Sequence, residues 1–120
     1  MTDKEFWDII EPYGWGTKTT DYKAIKIDLM RRLSPDQAVS LKDKFLSLRE
    51  ALDQRMGIFI EGLGDDSYSD LLAHIIGMGR EEYAAVMANP LKGKQRSDNL
   101  EYTESFLYSL PYETDYLYNN

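Results

Sequence analysis

Groups able to do acid–base or cation chemistry concentrate between residues 65 and 80. Asp65 and Asp66 are adjacent, Asp70 follows about one helical turn later, and Arg80 lies just beyond two glycines. Carboxylates beside an arginine in one concave site would have perturbed pKa values suited to acid–base catalysis or ligand binding. The spacing differs from the calcium-loop pattern, which needs carboxylates on alternate residues and a glutamate at the twelfth position. One hypothesis is therefore a hydrolytic or small-molecule-binding site at the Asp65–Asp66 turn, with Arg80 in the same pocket.

The alternative interpretation is that these aspartates only begin a helix. A carboxylate just before a helix accepts backbone N–H bonds and meets the positive end of the helix dipole, which stabilises the helix by about 1 kcal/mol. The following apolar residues recur at helical spacing: Leu71, Leu72, Ile75 and Ile76. The pattern favours this structural interpretation over the chemical one.

Other catalytic and metal-binding combinations have little support in the sequence. His74 is the only histidine and there is no cysteine, which excludes the usual zinc ligand sets and a cysteine nucleophile. No serine lies in a Gly-x-Ser-x-Gly motif, and no glycine-rich phosphate loop precedes a lysine-bearing helix. We therefore predict no catalytic residue, no metal site and no cofactor.

The charge and hydropathy of the chain constrain its partners and its location. Twenty-one acidic residues against fourteen basic ones give a net charge of −7, which repels nucleic acid and anionic lipid. No stretch approaches the roughly 20 apolar residues that a membrane-spanning helix needs. We expect a soluble cytoplasmic protein that contacts neither nucleic acid nor membrane.

Helix signals recur along the chain. Thr2 with Glu5 forms a capping-box pattern, Thr20 is placed to cap a second helix, and Ser34-Pro35 with Gln37 begins a third. Apolar residues of the third helix are spaced three or four apart: Leu41, Phe45, Leu48, Leu52 and Met56. This stripe is long enough for only about two heptads, so it indicates core packing rather than a coiled-coil seam.

The remaining segments complete the predicted fold. Residues 57–63 fit a helix or a strand, and we prefer the helix. The composition of the rest predicts an exposed basic loop at 91–99, a last helix at 100–110 and a partly irregular tail at 111–120. Trp7 and Trp15 are expected to anchor the core rather than to stack on a ligand. We predict an all-α fold, a single compact domain over residues 1–120 with about five to six helices in an irregular bundle.

The C-terminal end differs in kind from the rest. From Asp98 onward there are five acidic residues and no Lys or Arg, and five of the nine tyrosines lie there. Tyrosine is enriched in protein interfaces. We predict a partner-binding face formed by Glu101, Tyr102, Glu104, Tyr108, Tyr112, Glu113 and Asp115. The alternative is that Tyr102 and Tyr108 only pack the last helix, while the tail beyond Tyr112 frays.

The leading functional hypothesis is a non-enzymatic module, monomeric or homodimeric, that binds a protein with a basic surface. An immunity protein or antitoxin-like inhibitor, covering the basic site of a toxin or nuclease, is its concrete form. The hypothesis depends on the net charge and on the separate acidic, tyrosine-rich end.

Several stretches together resemble the bacterial domain-of-unknown-function family 4240. They are FWDIIE, GDDSY, IIGMGREEYAAVMANP and ESFLYSLPYETDYL. The matching positions are Trp7, Gly62, Asp65, Asp66, Tyr68, Ile75, Ile76, Gly79, Arg80, Asn89 and Pro90. Leu63-Gly64 replaces the Cys-Ser of the family pattern, Leu72 its arginine and His74 its tryptophan. The resemblance implies a small, largely helical domain with no established activity, and any role of the family's arginine does not carry over.

Overall fold

A computed structural model describes residues 1–16, 21–57, 65–99 and 106–118, with the side chains of 65–67, 96–99 and 118 excepted. In chain order the α-helices are α1 Asp3–Ile10, α2 Tyr22–Arg32, α3 Pro35–Met56, α4 Asp65–Gly77, α5 Arg80–Ala88, α6 Leu91–Asn99 and α7 Asp115–Tyr118. A first 3₁₀ turn, Glu11–Tyr13, follows α1, and a second, Phe106–Ser109, precedes α7.

The predicted helix starts are confirmed at α1 and α3. The Thr2 hydroxyl accepts from Glu5 N, and the Ser34 hydroxyl accepts from Gln37 N, each completed by the reciprocal bond of a capping box. The predicted start of α2 was one residue early. Asp21 is its N-cap, because the Asp21 carboxylate accepts from the backbone N–H groups of the first turn.

The core lies where the apolar stripe of α3 meets α1, α4 and α5. All five stripe residues are buried, as are the four apolar residues predicted for the inner face of α4. Trp7 and Trp15 are only 6% and 7% exposed, so the prediction that they anchor the core is confirmed. Removing these side chains from water drives the packing, by roughly 25 cal/mol for each Å² of apolar surface.

Two glycines permit close packing around α4 and α6. At Gly77, a Cβ atom would lie 2.6 Å from the Trp15 ring and 2.8 Å from the Phe106 ring, so only glycine fits without a shift. At Gly93 a Cβ would collide with the buried Met56 side chain. Because glycine has no side chain, the backbones of α4 and α6 contact these neighbouring side chains directly at the two positions.

Residues 91–99 form helix α6, and the prediction of an exposed loop there was wrong. Lys, Gln and Arg are good helix formers, and Pro90 just before the helix costs it no hydrogen bond, because the first N–H groups of a helix have no partner within it. Sequence periodicity could not reveal α6, because its contact with α3 is made by a glycine rather than by an apolar side chain. Its exposure was correctly predicted for Leu91, Lys92, Lys94 and Gln95.

The C-terminal segment packs back onto α2. In the described part of the predicted last helix, Phe106 and Leu110 are buried, but the backbone forms a 3₁₀ turn rather than an α-helix. Beyond it the chain makes a turn and the four-residue helix α7, and the Tyr116 hydroxyl donates to Leu33 O at the end of α2. The tail is partly irregular, yet it is held by specific contacts.

These elements form an all-α single domain, as the sequence predicts, and the described residues include no β-strand. Residues 58–64, for which helix and strand remained open, lie outside the described part, as do Thr20 and residues 100–105. No helix in the described ranges is long and apolar enough to cross a membrane.

Candidate functional site

Helix α4 separates the two halves of the predicted carboxylate–arginine site. Asp65 and Asp66 occupy the first turn of α4, inside the helix rather than before it, and Arg80 begins α5 beyond the opposite end. Twelve residue steps at 1.5 Å make α4 about 18 Å long. The prediction that Arg80 shares a pocket with the two aspartates was therefore wrong, although their backbone N–H groups still lie at the positive end of a helix.

Arg80 instead joins α5 to α1. Its guanidinium lies 2.8 Å from Glu11 Oε1 and 2.6 Å from Asp8 Oδ1, and its backbone N–H donates to Glu11 Oε2. The hydrogen bonds that Arg80 donates to Glu11 and, to a smaller extent, to Asp8 raise the pKa of Arg80. Hydrogen bonds from Lys4 and then Arg80 lower the pKa of Asp8. The two carboxylates compensate the positive charge of Arg80, and these contacts fix the junction between α1 and α5.

His74 contacts the indole of Trp15 on the inner side of α4. The Trp15 Nε1–H donates to His74 Nδ1 at 3.2 Å, which requires an unprotonated acceptor nitrogen. The two rings meet edge-on with centroids 6.4 Å apart, and the Trp15 ring also packs edge-on against Phe106. This geometry gives the sole histidine a role in fixing Trp15. Among the residues that the structure describes, no group of three or more His, Asp or Glu side chains is placed to hold a metal ion.

Tyrosine side chains from α2 and the C-terminal segment converge on one cleft. Tyr22, Lys26, Tyr108 and Tyr112 line a cleft of about 280 Å³, which we call the tyrosine cleft. Tyr22 and Tyr108 face each other with ring centroids 6.0 Å apart. Tyr108 is 52% exposed and Tyr112 48%, in a protein whose tryptophans and phenylalanines 6, 45 and 106 are buried.

The acidic tail folds onto basic residues of its own chain. Asp115 forms a salt bridge of 2.9 Å with Lys26 and accepts a hydrogen bond of 2.7 Å from Tyr112 N. Burial alone would raise the pKa of Asp115, but the Tyr112 N–H and Lys26 outweigh it and lower the pKa overall. Lys42 from α3 lies over the Tyr112 ring. Part of the predicted acidic face is thus neutralised within the molecule.

The structure brings together only part of the predicted partner-binding set. Tyr108, Tyr112 and Asp115 contact Tyr22 or Lys26 of α2, and the Glu113 side chain is exposed. Glu101, Tyr102 and Glu104 lie outside the described residues, as does Gly62. Sequence reasoning missed Tyr22, Lys26 and Lys42. The four-residue spacing of Tyr22 and Lys26 on α2 showed that they share a helix face, but nothing in the sequence showed that the tail packs against it.

The other motif positions have structural roles. Gly79 has φ of 113°, the positive φ that glycine tolerates, and is the N-cap of α5. Tyr68 donates a 2.6 Å hydrogen bond to Asp53, which ties α4 to α3. Asn89 caps the end of α5, and Pro90 is buried before α6. Trp7 packs against Phe6 and Tyr83.

Fold and site together define a small, acidic, all-α domain with an exposed tyrosine cleft and helix junctions fixed by ion pairs. A family model described as "Protein of unknown function (DUF4240)" matches residues 1–119, so the chain belongs to this family. The resemblance inferred from the sequence motifs is thereby confirmed. No curated protein and no solved structure matches the chain.

Proposed function

We propose that this protein is a protein-binding module of the bacterial cytoplasm that docks a basic partner at the tyrosine cleft. In its concrete form it is an immunity or antitoxin-like inhibitor. The observation that carries the proposal is the exposure of Tyr108 and Tyr112, about half of each side chain, beside Tyr22 in one cleft.

Tyrosines placed in this way suit a binding surface. A tyrosine offers a large apolar ring and a hydroxyl while losing the freedom of only two side-chain torsions on binding. The ring of Tyr112 is already positioned by Lys42 and Lys26, so less conformational entropy remains to be lost when a partner docks. A pre-organised cleft of this kind favours slow dissociation.

Charge contributes at longer range. The net charge of −7 attracts a basic protein and raises its association rate, an effect that salt weakens. Within the cleft itself the charges of Lys26 and Asp115 compensate each other, so this pair adds no net negative charge that would attract a basic partner. In this proposal the net negative charge of the protein raises the association rate, and the tyrosine rings supply the short-range affinity.

The proposal is tested by affinity capture from the cells that make the protein, using matched variants. Tyr108→Ala and Tyr112→Ala should each weaken partner binding by about tenfold or more, a loss of about 1.4 kcal/mol. Leu91→Ala is the control, because Leu91 is 52% exposed on α6, outside the cleft. Equal capture by the tyrosine variants and by Leu91→Ala would refute docking at the cleft.

A charge series tests the electrostatic part separately. Glu101→Gln, Glu104→Gln and Glu113→Gln together should slow association and reduce its salt dependence. Asp115→Asn is added in a second step, because it also removes the salt bridge to Lys26 and can disturb Tyr112. If the variant with all four substitutions keeps the association rate and salt dependence of the unaltered protein, the acidic end does not steer the partner.

A further inference from the structure

A second concavity lies between α3 and α4, lined by different residues from those of the tyrosine cleft. This groove has a volume of about 470 Å³, and its polar lining consists of Arg49, Glu50 and Asp53 from α3 with Tyr68 and Ser69 from α4. The volume falls in the range typical of small-molecule sites. The three α3 residues share one helix face, because positions three and four apart lie above one another.

One part of the groove offers a pre-positioned cation. The Arg49 side chain is partly buried, with its guanidinium 5.8 Å from the centre of the Phe45 ring. Within the described part of the chain, Arg49 makes one hydrogen bond, a long 3.4 Å contact from Nη1 to Ser69 Oγ, and forms no salt bridge. A guanidinium has five N–H donors in a planar fork that matches a carboxylate. Arg49 and Ser69 are thus arranged to receive an anionic group.

The adjacent part of the groove offers carboxylates. Asp53 lies one helical turn beyond Arg49, about 6 Å along the axis, and Glu50, three residues before Asp53, shares a helix face with Asp53. The Tyr68 hydroxyl donates to Asp53 Oδ1, which fixes this carboxylate at the edge of the groove. Burial and the bond to Asp53 raise the pKa of Tyr68, so the phenol stays protonated and continues to donate at alkaline pH. This end is suited to a ligand cation.

We propose that the groove binds a ligand with one carboxylate and one side-chain cation, the pattern of lysine or arginine with a free α-carboxylate. The ligand carboxylate lies against Arg49 and Ser69, and the side-chain cation lies against Glu50 and Asp53. The four-carbon stem of lysine is long enough to span one helical turn. A phosphate ligand is disfavoured, because it has no cation to pair with Glu50 and Asp53 and its larger negative charge is repelled by them.

Two sources offer this chemistry, a free basic amino acid and the carboxyl terminus of a peptide. Calorimetric titration of the full chain distinguishes them with free L-lysine and with acetyl-glycyl-L-lysine. Binding of either one with a 1:1 stoichiometry supports the proposal, and the tighter ligand identifies the source. Binding of neither at millimolar concentration overturns it.

Two altered ligands test the two ends of the groove. Acetyl-glycyl-lysine amide lacks the carboxylate, and acetyl-glycyl-norleucine lacks the side-chain cation. If free lysine is the ligand that binds, lysine amide and norleucine are used in their place. Each should bind at least about tenfold more weakly than its parent, a loss of about 1.4 kcal/mol. Equal binding of the amide, or of the norleucine ligand, would overturn the proposed recognition of that group.

Variants assign the effects to residues. Arg49→Gln should remove the preference for carboxylate over amide, and Glu50→Gln with Asp53→Asn should remove the preference for lysine over norleucine. Arg31→Gln on α2 and Asp36→Asn at the far end of α3 change the same charges at exposed positions and should preserve both preferences. If a groove variant does not fold, the ligand series on the unaltered protein still decides the outcome. Preferences that survive in folded groove variants would place the site elsewhere.

Discussion

Glu11 caps the helix that Arg80 begins. Glu11 Oε2 accepts a 3.0 Å hydrogen bond from the Arg80 backbone N–H, while Oε1 accepts a 2.8 Å bond from the Arg80 side chain. The N-cap residue of α5, Gly79, has no side chain to do this, and a Cβ there would lie 2.8 Å from Glu11 Oε2. A residue 69 positions earlier in the chain therefore supplies the cap.

Glu11→Ala should lower the free energy of unfolding by about 1 kcal/mol, the typical effect of losing a helix cap. Most of this loss should persist at high salt, because the ion pair to Arg80 is substantially exposed and contributes little. Urea unfolding measures the change. Glu81→Ala, at an exposed position in the first turn of the same helix, is the control and should change stability by less than about 0.5 kcal/mol. An equal effect of the two substitutions would refute the capping role.

Gly77→Ala should destabilise the fold by about 1–3 kcal/mol, because the added methyl group overlaps two buried aromatic rings, Trp15 and Phe106. Thermal and urea unfolding measure the loss. Gly57→Ala is the matched control: Gly57 has right-handed helical angles at the end of α3 and should change stability by less than about 1 kcal/mol. A Gly77→Ala protein as stable as the unaltered one would show that the rings can move aside.

Tyr13 should make the fold sensitive to alkaline pH. Burial, and then its 2.6 Å hydrogen bond to Asp28, raises the pKa of Tyr13 from 10.0 to about 12. Between pH 10 and about pH 12, the Tyr13 hydroxyl has lost its proton in the unfolded chain and retains it in the folded chain. The stabilisation is therefore complete below pH 10 and is lost as the pH rises toward about 12.

Urea midpoints at about pH 9 and about pH 11 test this linkage. The fall in stability should be smaller in Tyr13→Phe than in the unaltered protein. Some loss should remain, since burial also raises the pKa of Tyr68, of Tyr83 and of Tyr116. Tyr108→Phe, which changes a half-exposed ring, is the control and should preserve the full fall. A Tyr13→Phe protein with an undiminished fall would contradict the assignment.

The Trp15–His74 hydrogen bond should hold the Trp15 indole in a fixed environment. His74→Phe keeps an aromatic ring but removes the Nδ1 acceptor. Tryptophan fluorescence should therefore change in His74→Phe. It should change less in His74→Asn, which supplies an uncharged acceptor. Unaltered fluorescence in a folded His74→Phe protein would show that this bond does not fix the indole.

The sequence predicted local structure well wherever one stretch contained the whole signal. The capping boxes at Thr2 and Ser34 and the apolar stripe of α3 involve contacts within one helix, so spacing alone revealed them. Helix α6 escaped prediction because its packing depends on Gly93, a residue with no side chain to show periodicity. The start of α2 was placed one residue early, since Thr and Asp are both good caps and lie side by side.

Composition and periodicity by themselves determined the all-α class, the buried residues of α3 and α4, and the acidic character of the protein. Tertiary structure decided which distant groups meet: Glu11 with Arg80, Asp115 with Lys26, and Tyr22 of α2 with Tyr108. The physical reason is range. Helix caps and apolar stripes arise between residues three or four apart, whereas clefts and ion pairs between helices depend on how whole helices pack.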